Sequence, residues 1–322
     1  MSELAAFRDR YGVPAVGAAL VTADGVVELD LIGARVSGGS PVSAGDAWHI
    51  GSCGKAMTAA LYARLVEDGE AEWGAPLTTL FPDLEIDPGW GAVTIDDVFV
   101  GESGLQPDLS RAAMEAAYDD SRPLPAQRSE VTAAALARAP RRPGRFRYSN
   151  LGYVVIGAAI ERIVAAPYEQ ALATHVLEPL GIASGGFGAP PGIRGHRAHT
   201  PAPPDDPRAD NPPVMGPAGR VHLTLQDWAR FQQVFLTEGG GFLAPASVER
   251  LLTPAKAQSP GWAPARGLAG VSMGQQGSNT FWVATALIDR RRERTAMVVC
   301  NDGRRRLLAA TAKLAARLLP DA

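Results

Sequence analysis

Of the 31 cationic side chains only three are lysine, Lys55, Lys256 and Lys313, and the other 28 are arginine. Lysine in so arginine-rich a chain invites a chemical reason. Arginine keeps its proton in proteins, whereas a desolvated lysine can release its proton and act as a base. Lys55 stands three residues after Ser52, and residues i and i+3 share one face of a helix. With a helix starting at Ser52, the amine lies beside the hydroxyl. The free N–H groups and positive dipole end of that helix favour the negative charge that develops on an attacked carbonyl. Ser52 is thus a candidate nucleophile and Lys55 its base. The same two residues also fit a helix cap followed by a solvated lysine.

Two further clusters carry polar side chains beside glycine or proline. Arg147-Tyr148-Ser149-Asn150-Leu151-Gly152-Tyr153 follows the turn signal Pro143-Gly144 and precedes an apolar run. Tyr148 offers a phenol and Asn150 an amide to a site; equally, Asn150 fits an N-cap and Tyr148 a half-buried aromatic. Gly274-Gln275-Gln276-Gly277-Ser278-Asn279-Thr280 reads as a glycine-bounded turn leading into the strand Phe281 to Ile288. A glycine there lets another group approach the backbone closely, although an ordinary turn before a strand looks the same.

In this order the three clusters, S-x-x-K, Y-x-N and a glycine-ended third motif, resemble the serine β-lactamase-like hydrolases. The resemblance narrows to the class C branch, with its carboxylesterases, D-amino-acid peptidases and acyltransferases. Trp48-His49-Ile50-Gly51 ahead of Ser52, Glu178-Pro179-Leu180-Gly181, Gly216-Pro217-Ala218-Gly219 and Asp227-Trp228-Ala229-Arg230 are similar to family landmarks too, so it covers nearly the whole chain. The fold it implies is α+β and β-lactamase-like, an antiparallel sheet flanked by helices with an all-helical lobe beside it. The roles it implies are an acylated Ser52, with Lys55 and Tyr148 taking and relaying its proton. Asn150 would bind substrate and hold Lys55, and Gln275, Gln276, Gly277 and Ser278 would border the substrate. The oxyanion hole would be the N–H groups of Ser52 and Ser278.

The third motif departs from the family, because Gln275 stands where lysine or histidine is usual and Gln276 where threonine or serine is common. Glutamine donates and accepts hydrogen bonds but brings no charge. The expected activity is therefore carboxylesterase-like hydrolysis of small esters or amides, neutral ones above all, with weak or no β-lactamase activity. Acyl transfer to an alcohol or amine is one alternative, and a catalytically impaired binding protein is another. No metal or organic cofactor is implied, and the implied partner is a small acyl compound.

These clusters need elements to hold them. Aliphatic and β-branched runs flank Ala23-Asp24-Gly25, a hairpin signal, and a second pair of runs, 280–288 and 295–300, flanks the charged tip 289–294. Both chain ends therefore feed a sheet. Residues 304–319 carry leucines at helical spacing and stop at Pro320. Helices are expected at 52–68, 130–139 and 151–166. The Gly- and Pro-rich stretch 181–219 is expected as a long irregular surface connection. The implied domains are a sheet domain of 1–75 with 215–322, and a mainly helical domain of 76–214.

With 322 residues, 46% of them apolar and 20% charged, the chain is that of an ordinary globular protein. Its 34 acidic side chains give a formal net charge of −3, so no global positive field favours nucleic acid or anionic lipid. No run reaches the length of a membrane span and no basic, apolar leader opens the chain, so a cytoplasmic location is expected. The two cysteines, Cys53 and Cys300, make no disulfide framework. Cys53 is expected as a packed thiol and His49 as packing under the site. His196 and His199, spaced H-x-x-H, are expected as surface histidines rather than zinc ligands. The arginine runs 290–292 and 304–306 are expected in solvated turns and helix starts.

Overall fold

In the computed structural model, residues 3–319 are described, except for Lys256, Ala269, Gly270 and Arg292. Of the residues singled out above, Lys256, Arg292 and Pro320 lie outside the described residues. Six strands make the main sheet: β1 (Ala15–Thr22), β2 (Gly25–Gly33), β3 (Ala263–Pro264), β4 (Met273–Ser278), β5 (Val283–Asp289) and β6 (Arg294–Cys300). Their order is β2-β1-β6-β5-β4-β3, and every neighbouring pair is antiparallel. First and last strands of the chain thus lie side by side, with Val16 opposite Cys300 and Ala19 opposite Met297.

Alternating side chains on a strand point to opposite faces, and here both faces are covered. Val16, Ala18 and Leu20 of β1, Ala296 and Val298 of β6, and Val283 and Leu287 of β5 pack in one cluster with Leu4, Phe7, Leu307 and Leu314. Those last four belong to α1 (Glu3–Tyr11) and α6 (Arg306–Leu318). The opposite residues, Ala19 and Val21, Met297 and Val299, Ala284 and Ile288, face the larger core. That core holds α2 (Gly54–Glu67), α3 (Leu124–Leu136), α4 (Asn150–Val164) and α5 (Leu225–Gln233). Burial on both faces explains why these strands read as continuous apolar runs. A buried Thr285–Thr311 hydroxyl pair, 2.8 Å apart, ties β5 to α6.

Helix α4 is buried over most of its length, from Leu151 to Glu161, as a helix apolar on all sides must be. It begins at the Ser149 cap, whose Oγ accepts the Gly152 N–H at 2.8 Å. Among the described residues no single helix is long and apolar enough to cross a membrane. Only the bent pair Asn150–Val164 and Tyr168–Leu177, 78° apart, passes on length and composition together. Helix α3 starts six residues earlier than expected, because Pro125 sits in its first turn, where the missing N–H costs nothing.

Two other expectations change. Residues 274–278 form strand β4 rather than a turn: Gly277 pairs with Ala284 and Gln275 with Ala286, and the polar residues conceal the alternation. The segment 181–219 is not a surface connection, since Ile193, His196, Ala202, Ala209 and Asp210 in it are buried. It contributes Gly186–Phe187 to a small sheet with Ala47–His49 and Val221–Thr224, so the region between the sheet halves is helical with short strands added. His196, expected at the surface, is fully buried: Nδ1 donates to the Asn301 carbonyl at 3.0 Å and Nε2 accepts the Ser37 N–H at 3.2 Å. His199 is exposed.

Candidate active site

The segment before α2 turns sharply. Gly51 adopts φ +53° and opens the short 3-10 turn Gly51–Cys53 that runs into the helix. A positive φ of this kind suits glycine, and a side chain at 51 would also strike the Ser278 nitrogen at 2.6 Å. His49 supports the turn by accepting the Gly51 N–H on Nδ1 at 3.0 Å. A ring nitrogen that accepts carries no proton, so the proton sits on Nε2, which lies 3.0 Å from Asp210 Oδ1. Asp210 is itself buried. It accepts from Arg220 Nε at 3.2 Å and from Asn279 Nδ2 at 2.7 Å. Burial alone would raise its carboxyl, but His49, Arg220 and Asn279 hold it below the ordinary value. This polar strut under the nucleophile was invisible in the sequence beyond the packing expected of His49.

Ser52 meets both expected partners. Lys55 Nζ lies 3.1 Å from its Oγ and Tyr148 Oη lies 2.9 Å from it. Lys55 is buried, and its ammonium also donates to Asn150 Oδ1 at 2.7 Å and to the Ala218 carbonyl. Three donors therefore meet three acceptors. The ammonium also sits 5.0 Å from the centre of the Tyr148 ring and 5.2 Å from that of Tyr153. Tyr153 is fully enclosed, and burial pushes its phenol well above the ordinary range. Tyr148 is different: it is 44% exposed and faces the cavity.

Asn150 holds Lys55 through its carbonyl, while its amide donates to Asp108, 3.1 Å from Oδ2. Desolvation raises the Asp108 carboxyl, against the pull of Asn150 and Lys55. Asp108 lies 42 residues from Asn150, and no spacing or motif marks it. Ala218, whose carbonyl completes the Lys55 set, falls in the Gly216–Gly219 stretch, which the sequence marked only as similar to a family landmark.

Strand β4 brings the third motif against the nucleophile backbone. A Cβ at Gly277 would lie 1.9 Å from the Ile50 oxygen and 2.8 Å from the Ser52 nitrogen. Only glycine permits that approach, and it sets the main chain at Ser278 beside that at Ser52. Gln275 is buried at 4% exposure, and neither polar atom of its amide has a partner among the described residues. Gln276 turns the other way, its amide donating to the Leu308 carbonyl of α6 at 2.7 Å.

A cavity of about 530 Å³ opens over Ser52, walled by Phe146, Tyr148, Trp262, Gln275 and Leu287 among others. Besides Lys55 it meets Arg266 and Lys313. The third motif itself brings no charge to this cavity. Cys53, next to the nucleophile, is fully buried, and burial pushes its thiol far up. Among the described residues no group of three or more His, Cys, Asp or Glu side chains is placed to hold a metal ion.

Comparison with known proteins agrees with this architecture. The D-amino acid amidase of Ochrobactrum anthropi SV3 superposes with a TM-score of 0.80 at 22% identity, over 98% of this chain and 95% of that one. The D-alanine carboxypeptidase AmpC of Burkholderia cenocepacia superposes at 0.77 and 18% identity, over 98% and 96%. At these identities the likeness is one of fold. PbpX of Bacillus subtilis is 23% identical over 224 residues, which are 66% of this chain but only 52% of PbpX. The match thus spans about half of that relative's length. Residues 2–319 match the Beta-lactamase family, and the chain belongs to that family.

Proposed function

We propose that the protein is a serine hydrolase that acts on small esters or amides through an acyl-Ser52 intermediate. The observation that carries this reading is the convergence of Lys55 Nζ and Tyr148 Oη on one hydroxyl oxygen, at 3.1 and 2.9 Å. Because all three donors of Lys55 are engaged, the base in this reading is Tyr148 as its phenolate, balanced by the Lys55 ammonium: it takes the Ser52 proton as the oxygen attacks and becomes the phenol. Tyr148 faces the cavity and can pass that proton to the departing oxygen or nitrogen. Water entering the same place then reverses the sequence and frees the acid. In this reading the N–H groups of Ser52 and Ser278 receive the oxyanion.

The test is covalent labelling. Incubation with a fluorophosphonate, followed by intact-mass measurement, is expected to add one adduct to the wild type and none to Ser52→Ala. Turnover of p-nitrophenyl acetate is expected to fall to the uncatalysed rate in the same variant. An unlabelled wild type with equal slow hydrolysis in both forms would refute the proposal.

A further inference from the structure

Immediately ahead of Tyr148 the chain reads Arg141-Arg142-Pro143-Gly144-Arg145-Phe146-Arg147. All four arginines are exposed and line one hollow of about 640 Å³ together with Phe146. Phe146 also lines the cavity over Ser52, so a single aromatic side chain separates the hollow from the nucleophile. Several exposed arginines pair with carboxylates, as Arg122 does with Asp120, Arg162 with Asp83 and Arg290 with Glu249. Among the described residues none of these four guanidiniums has such a partner, and no acidic side chain lines either the hollow or the cavity.

The backbone under the arginines is fixed. Arg141 N–H donates to the Gly104 carbonyl at 2.9 Å, Gly144 N–H to that of Glu102 at 2.7 Å and Arg147 N–H to that of Gly101 at 2.7 Å. Arg142 is held at φ +53°, a conformation unfavourable for any residue with a Cβ. Such strain persists where the surrounding structure imposes it, often at binding sites. Four like charges on a rigid ribbon repel one another, and a bound anion relieves that repulsion.

Resting on the proposed hydrolase reading, we infer that the substrate carries a phosphate monoester on the part of the molecule that reaches past Phe146 into this hollow. The guanidinium fork matches phosphate oxygens in pairs, and a phosphate monoester brings roughly 1.5 to 2 negative charges, which suits a cluster of cations better than one carboxylate does. The rim cations also draw such a substrate toward the mouth from solution.

Two matched ester pairs decide on which side of the scissile bond the phosphate lies. One is p-nitrophenyl 6-phosphonooxyhexanoate against p-nitrophenyl 6-hydroxyhexanoate, the other 4-(phosphonooxymethyl)phenyl acetate against 4-(hydroxymethyl)phenyl acetate. In one pair the phosphorylated member is expected to have about tenfold or more higher kcat/KM, carried by KM. That ratio should fall close to one in Arg142→Gln/Arg145→Gln and be partly kept in Arg142→Lys/Arg145→Lys. Phenyl phosphate is expected to bind the wild type saturably and to lose that binding in the glutamine variant, a readout independent of turnover. Equal rates within both pairs, a ratio unchanged in the glutamine variant, or absent phenyl phosphate binding would overturn the inference. Ser52-dependent labelling in the same preparation would leave the hydrolase proposal standing, whereas absent labelling with phenyl phosphate binding intact would remove the hydrolase proposal and the substrate inference with it, leaving an anion site alone.

Discussion

At the scale of single residues, the site is set by how closely two stretches of backbone approach. Gly277 has no side chain because the Ile50 carbonyl and the Ser52 nitrogen occupy the space where one would stand. Backbone atoms on both sides leave little room to give. Gly277→Ala is therefore expected to push β4 away from the nucleophile turn and pull the Ser278 N–H out of line with the developing oxyanion. Loss of one such donor lowers kcat about 100- to 1000-fold. Steady-state ester hydrolysis by protein counted through fluorophosphonate titration measures this. A kcat within threefold of the wild type would show that the Ser278 N–H takes no part. Ser52, Lys55, Tyr148 and Gly277 were legible in the sequence because each stands in a short motif and the order of those motifs resembles a known family. Asp108 was not, since nothing near it in the chain tells that its carboxylate receives the Asn150 amide.

Among the elements, α3, α4 and the chain at 213–214 are joined by one charged group. Arg128 of α3 is fully buried and reaches Glu161 of α4, Glu169 and the Val214 carbonyl, the last at 3.0 Å. Burial disfavours its charge, yet the two carboxylates prevail and hold its pKa above the ordinary value. Replacing it by methionine leaves two carboxylates facing each other without a cation. Arg128→Met is expected to cost about 3–5 kcal/mol of unfolding free energy, read as a lower urea midpoint. The triple change that adds Glu161→Gln and Glu169→Gln should recover part of that loss. A single variant as stable as the wild type would show that the pair contributes nothing net. The helices themselves were readable from apolar spacing and proline stops, but β4 was not. Its alternation of Met273, Gln275 and Gly277 against Gly274, Gln276 and Ser278 carries too little hydrophobic contrast to mark a strand.

Across the whole molecule, the long segment 181–219 is tied to the end of the main sheet and to the small sheet through two buried histidines. His196 donates through Nδ1 and accepts through Nε2, an arrangement that only the uncharged ring satisfies. His222 is buried with Nδ1 at 2.9 Å from the Gly188 carbonyl. Burial lowers both pKa values below the ordinary 6.5. Below pH 6.5 the unfolded chain thus binds protons that the folded one refuses, and stability falls as the pH drops toward the lowered folded values. Each histidine contributes a slope of at most about 1.4 kcal/mol per pH unit in that window. Melting temperatures are expected to decline from pH 7 to pH 5, more shallowly in His196→Gln, which keeps a neutral hydrogen-bonding group. Parallel declines in wild type and variant would show that His196 does not titrate with unfolding.

By itself the sequence singled out Ser52, Lys55 and Tyr148 through a family resemblance, and it marked strands at both chain ends and the helices near 52–68, 130–139, 151–166 and 304–319. The strands and helices follow from local spacing, because their periods repeat within a few residues, while the three site residues follow from the resemblance that their motifs, in order, bear to a known family. Tertiary structure alone decided that Asp108 holds Asn150, that Asp210 lies under His49, that Arg128 bridges two acids and that segment 181–219 is buried. It also placed Arg266 and Lys313 beside the cavity over Ser52. Buried polar pairs have no period in the chain; they arise when distant segments are brought together by apolar packing, and only the folded geometry says which donor meets which acceptor.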